Sequence, residues 1–176
     1  MMNRVVYLLF SQFLLILLQL TTGSWGWTLP WAELGALCIV LSFGVTWGVA
    51  AALLNSMILS TLYGGGWNFL YILINPLLAG GVGWWIERHD EDIRLGFWSP
   101  GAWAGLAGAL PALAALFWQW GEYGVYNSAV HWMILRTIWS VLVSAGCFVA
   151  LNFLNEALTE FLGLPRFLLR KGRRRL

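Results

Sequence analysis

Residues 31–60 read WAELGALCIVLSFGVTWGVAAALLNSMILS, thirty positions with no charged side chain after Glu33. At 1.5 Å per residue a single helix of that length runs ~45 Å, well past a ~30 Å hydrocarbon core, while two halves of about 15 residues are each short for a crossing. Periodicity does not settle whether the run crosses once or twice. Gly44, near the middle, offers a break, giving short helices from Trp31 to Phe43 and from Gly44 to Ser60.

The rest of the chain extends the same theme. Over 176 residues it is 60% hydrophobic and 10% charged, with 20 glycines besides and a mean hydropathy of +0.72. A soluble domain carries ~45–50% apolar residues with glycine included. That excess excludes a water-soluble globule, a disordered chain and a nucleic-acid-binding domain, and predicts an all-α, polytopic bundle of membrane helices. Cys38 and Cys147 lie inside apolar runs and read as small buried hydrophobes rather than a disulfide.

Around the central run the other spans fall into place. Val5 to Leu20 follows Arg4 and has no A-x-A-like site after it, so it reads as an uncleaved first helix with Trp25 and Trp27 as its aromatic anchor. Beyond Gly64-Gly65-Gly66 come spans from Trp67 to Ile86, Gly101 to Trp120, and about His131 to Phe153. The polar connection Glu87 to Arg94 separates the first two of these. Residues 1–165 thus form the bundle and 166–176 a tail. That tail holds Arg166, Arg170, Lys171, Arg173, Arg174 and Arg175 and no acid. A basic cluster beside an apolar span is retained in the cytoplasm and draws anionic headgroups, with Arg170, Lys171, Arg173, Arg174 and Arg175 the expected lipid contacts. Counting back from a cytoplasmic C-terminus puts the 87–94 loop inside and, with two crossings in 31–60, the N-terminus inside as well. Six spans, N-in and C-in, leave only Arg136 of the ten basic residues outside, one turn into the last helix.

Small residues recur at helical spacing as Gly44, Gly48 and Ala52, as Gly80, Gly81 and Gly83, and as Gly101, Gly105 and Gly108. Such faces let backbones approach closely, either within the bundle or against another membrane protein's helix, and for the second role Gly44, Gly48 and Ala52, with Asn55 below them, are the preferred partner-binding positions. Glu33 and Arg136 both fall at the outer interface, as a pair across helices or as two unrelated snorkelling groups. Asn75-Pro76 marks a kink whose freed carbonyls need neighbours. Glu156 and Glu160, four apart, share a helical face, either as the wet side of an interfacial continuation or as a proton or cation site. His89-Asp90-Glu91-Asp92 lacks metal-ligand spacing, so no metal and no cofactor are expected. Neither G-x-S-x-G, H-E-x-x-H, Walker A nor C-x-x-C occurs, so a non-enzyme is expected.

The order of these features resembles the bacterial rod-shape-determining MreD family, most specifically from Leu53-Leu54-Asn55-Ser56-Met57 to Gly64-Gly65-Gly66-Trp67-Asn68. This looks like the family's passage from an acid-terminated third helix through a glycine turn into the fourth, with Asn55 in place of the acid. The resemblance implies a non-catalytic subunit of the cell-elongation machinery in the bacterial inner membrane. Such a subunit binds an MreC-like single-pass scaffold and helps position peptidoglycan synthesis. The alternative is the substrate-binding subunit of an energy-coupling-factor vitamin transporter, which would hold a small molecule among outer aromatics such as Trp31, Trp67, Trp118, Trp120, Tyr123, Tyr126 and Trp132. Its first helix would need an alanine-rich docking face, whereas Phe10 to Leu20 is leucine-rich. Replacing Arg173, Arg174 and Arg175 together by Gln is expected to weaken anionic-lipid association by ~1 kcal/mol per residue while the bundle stays folded. Quantifying the anionic lipid retained on purification, alongside the unfolding temperature, checks this.

Overall fold

The computed structural model describes residues 2–24, 29–63, 68–88 and 128–164. Their regular structure is helical: α1 (Met2–Ser24), α2 (Trp31–Phe43), α3 (Val45–Tyr63), α4 (Asn68–Arg88) and α5 (Ser128–Phe161). Among the described residues three helices are long and apolar enough to cross a membrane, at Arg4–Ser24, Val45–Leu62 and Val141–Phe161, and shorter apolar stretches run Trp31–Phe43 and Ile72–Trp85. The span expected from Gly101 to Trp120 and the basic tail lie outside the described residues.

The long run of residues 31–60 does break at Gly44. Its φ of 98° lies in a region that side chains with a Cβ rarely adopt, and its ψ of 172° turns the chain out of the helix. Both of its backbone groups are still used, the N–H donating to Val40 O at 3.0 Å and the carbonyl accepting from Gly48 N–H at 3.1 Å. Helix α3 therefore doubles back antiparallel along α2, with Gly48 against Val40 and the Asn55 amide reaching the Ala32 carbonyl.

The other neighbours also alternate. Helix α1 runs against α2 with Gln19 beside Ala32, and α4 returns along α3 with Asn75 at Ser56 and Gly83 at Val45. Asn155 of α5 bonds both Tyr7 of α1 and Ser42 of α2. One end of the bundle, the Gly44 end, thus gathers the start of α1, the α2–α3 turn, the Arg88 end of α4 and the last turns of α5. There the Arg88 guanidinium lies 4.4 Å over the Trp84 ring, a cation–π contact that keeps the charge at the rim. Helix α5 carries Glu156 and Glu160 as a direct continuation and stops at Gly163, with φ 63°. The Leu164 N–H bonds Thr159 O and the Gly163 N–H bonds Glu160 O, closing a Schellman cap.

Helix α2 is the axis of this arrangement. Eleven of its thirteen residues are buried, and α1, α3, α4 and α5 all pack on it. The outward faces of α1 and α5 carry bulky apolar groups, among them Val6, Phe10, Phe13, Leu142 and Phe153. An apolar interior and an apolar exterior leave no polar stripe, and this is why the pattern along residues 31–60 does not reveal its own fold.

The face expected to receive a partner is taken up inside the chain. A Cβ on Gly48 would overlap the Val40 side chain and come within 3.0 Å of the Val40 Cα, and Ala52 and Asn55 are 2% and 1% exposed. Gly44 is the turn itself. Close backbone approach is the reason for small residues here, as the spacing implies, but the backbone approached is that of α2. Gly48→Leu is therefore expected to destabilise the fold by about 1–3 kcal/mol or more through overpacking. Gly81→Leu, at a position with no neighbouring atom within 4 Å, should leave the protein monodisperse. Size-exclusion profiles and unfolding temperatures of the two variants in the same detergent test the contrast.

Candidate functional site

The first turn of α2 follows Pro30 and has amide groups with no partner inside the helix. The fold answers them locally. Leu34 N–H donates to Pro30 O at 3.0 Å, and Ala32 N–H donates to Gln19 Oε1 of α1 at 2.8 Å. The Ala32 carbonyl accepts from Asn55 Nδ2 at 2.9 Å, and the same Nδ2 donates to Gln12 Oε1 at 2.6 Å. One asparagine of α3 thereby ties α1 and α2 together.

Beside it, Ser56 donates to Ala52 O at 2.8 Å and accepts from Asn75 Nδ2 at 3.2 Å. Asn75 precedes Pro76, whose missing N–H removes one rung of α4. Ser56 thus bonds the Asn75 side chain, one residue before that proline.

These bonds fix which way each amide points. Both partners of Asn55 Nδ2 accept, and the Ala32 carbonyl has no proton to give, so Asn55 Oδ1 is turned away from them. The Ser56 proton is committed to Ala52, so Asn75 likewise presents its oxygen elsewhere. Asn55 Oδ1, Asn75 Oδ1 and both carboxyl oxygens of Glu33 are buried without a hydrogen-bond partner. The Gln19 and Asn75 amides are turned towards the Glu33 carboxyl without reaching hydrogen-bond geometry. Glu33, Asn55 and Asn75 bound one cavity of about 10 Å³, its remaining wall made of alanine and leucine side chains.

The electrostatics are unbalanced. An N-terminal turn stabilises a nearby carboxylate by ~0.3–1 kcal/mol, up to ~2 kcal/mol when partly buried. Removing that carboxylate from water costs several kcal/mol. A second polar knot sits at the Gly44 end, where Tyr7 donates to Asn155 Oδ1 at 2.7 Å and Asn155 Nδ2 donates to Ser42 Oγ at 2.6 Å. That knot holds α1, α2 and α5 in register.

The positions singled out in the sequence separate clearly. Asn55, Ser56, Asn75 and Glu33 come together, although the sequence suggests separate roles for them. Glu33 is 5% exposed and faces the interior rather than an interface. Counting ~1.5 Å per residue from the Ser42–Asn155 contact puts Gly146 about level with Glu33 and Arg136 roughly 15 Å further along α5. The Arg136 side chain and the tail residues Arg170, Lys171, Arg173, Arg174 and Arg175 lie outside the described residues, as do Gly101, Gly105, Gly108 and the 89–92 cluster. Gln12 and Gln19 were not singled out. Two glutamines seven apart in an otherwise apolar helix share one face, and that spacing was the available signal. Among the described residues no three His, Cys, Asp or Glu side chains group as metal ligands.

Comparison with family models, with curated proteins and with solved structures gave no match. The Gln12–Asn55 bond is expected to show a coupling of ~0.6–2 kcal/mol in a double-mutant cycle of Gln12→Ala and Asn55→Ala. Unfolding free energies of the two single variants and the double variant measure it, and additivity would show that the bond contributes nothing.

Proposed function

We propose that this chain is a non-catalytic, multi-pass subunit of a bacterial inner membrane, with its Gly44 end in the cytoplasm. It works by contact with an MreC-like single-pass scaffold in the machinery that positions peptidoglycan synthesis. The observation that carries the choice is how the helices use their polar groups. Gln12, Gln19, Asn55, Ser56 and Asn75 serve to hold helix to helix, and the cavity they leave is about 10 Å³. Among the described residues the buried polar groups are thus spent on helix contacts, while Trp67, Trp118, Trp120, Tyr123 and Tyr126, which the transporter-subunit alternative calls on, lie outside those residues.

Two further features favour the same reading. The antiparallel pair α3 and α4, on either side of residues 64–67, has the order on which the MreD resemblance rests. Arg88 and the basic tail both follow from the Gly44 end, as the positive-inside rule asks of a cytoplasmic face. With Gly48 and Ala52 engaged by α2, the partner's helix is assigned to the span expected at Gly101, Gly105 and Gly108. Co-expression with the MreC-like protein of the same cell should yield a complex that survives mild detergent, and depletion should turn rods into spheres. Unchanged cell shape, or a stoichiometric small molecule retained in place of a membrane partner, would overturn the proposal.

A further inference from the structure

We propose that the outward face of α4 binds one zwitterionic phospholipid, with its phosphate at the Arg88 guanidinium and an acyl chain over Gly81, independent of the partner proposed above. Leu73, Leu77, Gly81, Trp84 and Arg88 follow one another at intervals of three or four residues, so they share one side of the helix, and all five are exposed. The opposite side is occupied, Asn75 meeting Ser56 and Gly83 meeting Val45, both of α3. The outward face is apolar except at its Arg88 end, where one charge stands at the rim of the bundle.

That charge is held in place. The Trp84 ring lies under the Arg88 guanidinium, and among the described residues no acceptor oxygen meets it. A planar guanidinium with open N–H groups matches the oxygens of a phosphate. Further along the helix, a Cβ on Gly81 would have no atom within 4 Å, while the exposed Leu77 and Trp84 project on either side. The result is a notch in which a hydrocarbon chain touches the α4 backbone and two bulky side chains at once. From Leu77 to Arg88 the helix rises ~16 Å, close to the ~15 Å that half of a ~30 Å hydrocarbon core measures. A phosphate at Arg88 therefore sets its own chain beside Gly81. Glu87, Asp90, Glu91 and Asp92 flank Arg88 in sequence, which favours a headgroup carrying its own positive charge over a net anionic one.

The test titrates the full-length protein, delipidated in mild detergent, with phosphatidylethanolamine and follows the bound lipid by native mass spectrometry. A headgroup without net charge also keeps the basic tail out of the reading. One lipid should bind saturably. Diacylglycerol with the same chains lacks the phosphate and should bind at least about tenfold more weakly. Arg88→Gln removes the phosphate's partner and Gly81→Leu fills the notch, and each should raise the phosphatidylethanolamine midpoint at least about tenfold. Arg88→Lys keeps the charge without the planar fork and should fall between. No saturable first lipid, equal binding of the two lipids, or an unmoved midpoint in Arg88→Gln or Gly81→Leu would overturn the site. Tighter binding of phosphatidylglycerol that Arg88→Gln abolishes would overturn the zwitterionic assignment. Unfolding temperatures show whether each variant is folded, and should one not be, the other decides alone.

Discussion

Helix α2 begins inside the bundle, and its first turn has no water to bond to. In an apolar surrounding an unsatisfied backbone group costs several kcal/mol, so the Ala32 amide, which has no partner inside its own helix, must find one within the protein. Gln19 of α1 supplies it, and Asn55 of α3 adds a bond to the Ala32 carbonyl. The positions of the flanking helices follow from those two contacts. Gln12 and Gln19 lie on one face of α1, so the helix that satisfies Ala32 also meets Asn55. Ser56, one position beyond Asn55 in α3, meets Asn75 of α4.

Packing supplies the closeness that these bonds require. Between apolar helices in an apolar solvent the hydrophobic effect gives no net attraction, and association rests on van der Waals contact at short range. Gly48 against Val40 and Gly83 against Val45 bring the backbones near enough for it. Interhelical hydrogen bonds contribute only ~0.6 kcal/mol each on average in such surroundings. Their larger effect is on register, because a slip of α3 by one position would turn Asn55 away from Gln12 and Ala32 and leave its amide buried and unsatisfied. The Tyr7–Asn155–Ser42 knot does the same at the opposite end of α2, where α5 joins.

Much of the helical inventory was legible in the sequence, and its reasons are particular. The all-helical fold followed from hydropathy, and the break at Gly44 from the mismatch between thirty apolar residues and one crossing. The site was legible only in fragments. Asn55, Ser56, Asn75 and Glu33 stood out as polar groups in apolar runs, yet which of them meet depends on the register between helices that are distant in sequence. Glu33 opens a helix near an aromatic belt, and by sequence that places it at an interface. The sequence does not show that α2 starts below the ends of its neighbours and carries Glu33 inside. The Gly48 spacing points to a close approach without saying of which helix; in the structure it lies against Val40 of α2, its own neighbour in sequence. Where both core and surroundings are apolar, composition cannot separate an inner face from an outer one.

The reversal of the chain at Gly44 underlies all of these contacts, and side-specific thiol labelling in membrane vesicles tests it most directly. Single cysteines at Ser24, Thr46 and Thr61, all exposed, are introduced after Cys38→Ala and Cys147→Ala. A hairpin of two crossings predicts that Ser24 and Thr61 react from one side of the membrane and Thr46 from the other. Ser24 and Thr61 reacting from opposite sides, with Thr46 reached from neither, would mean a single long crossing and would contradict the turn at Gly44.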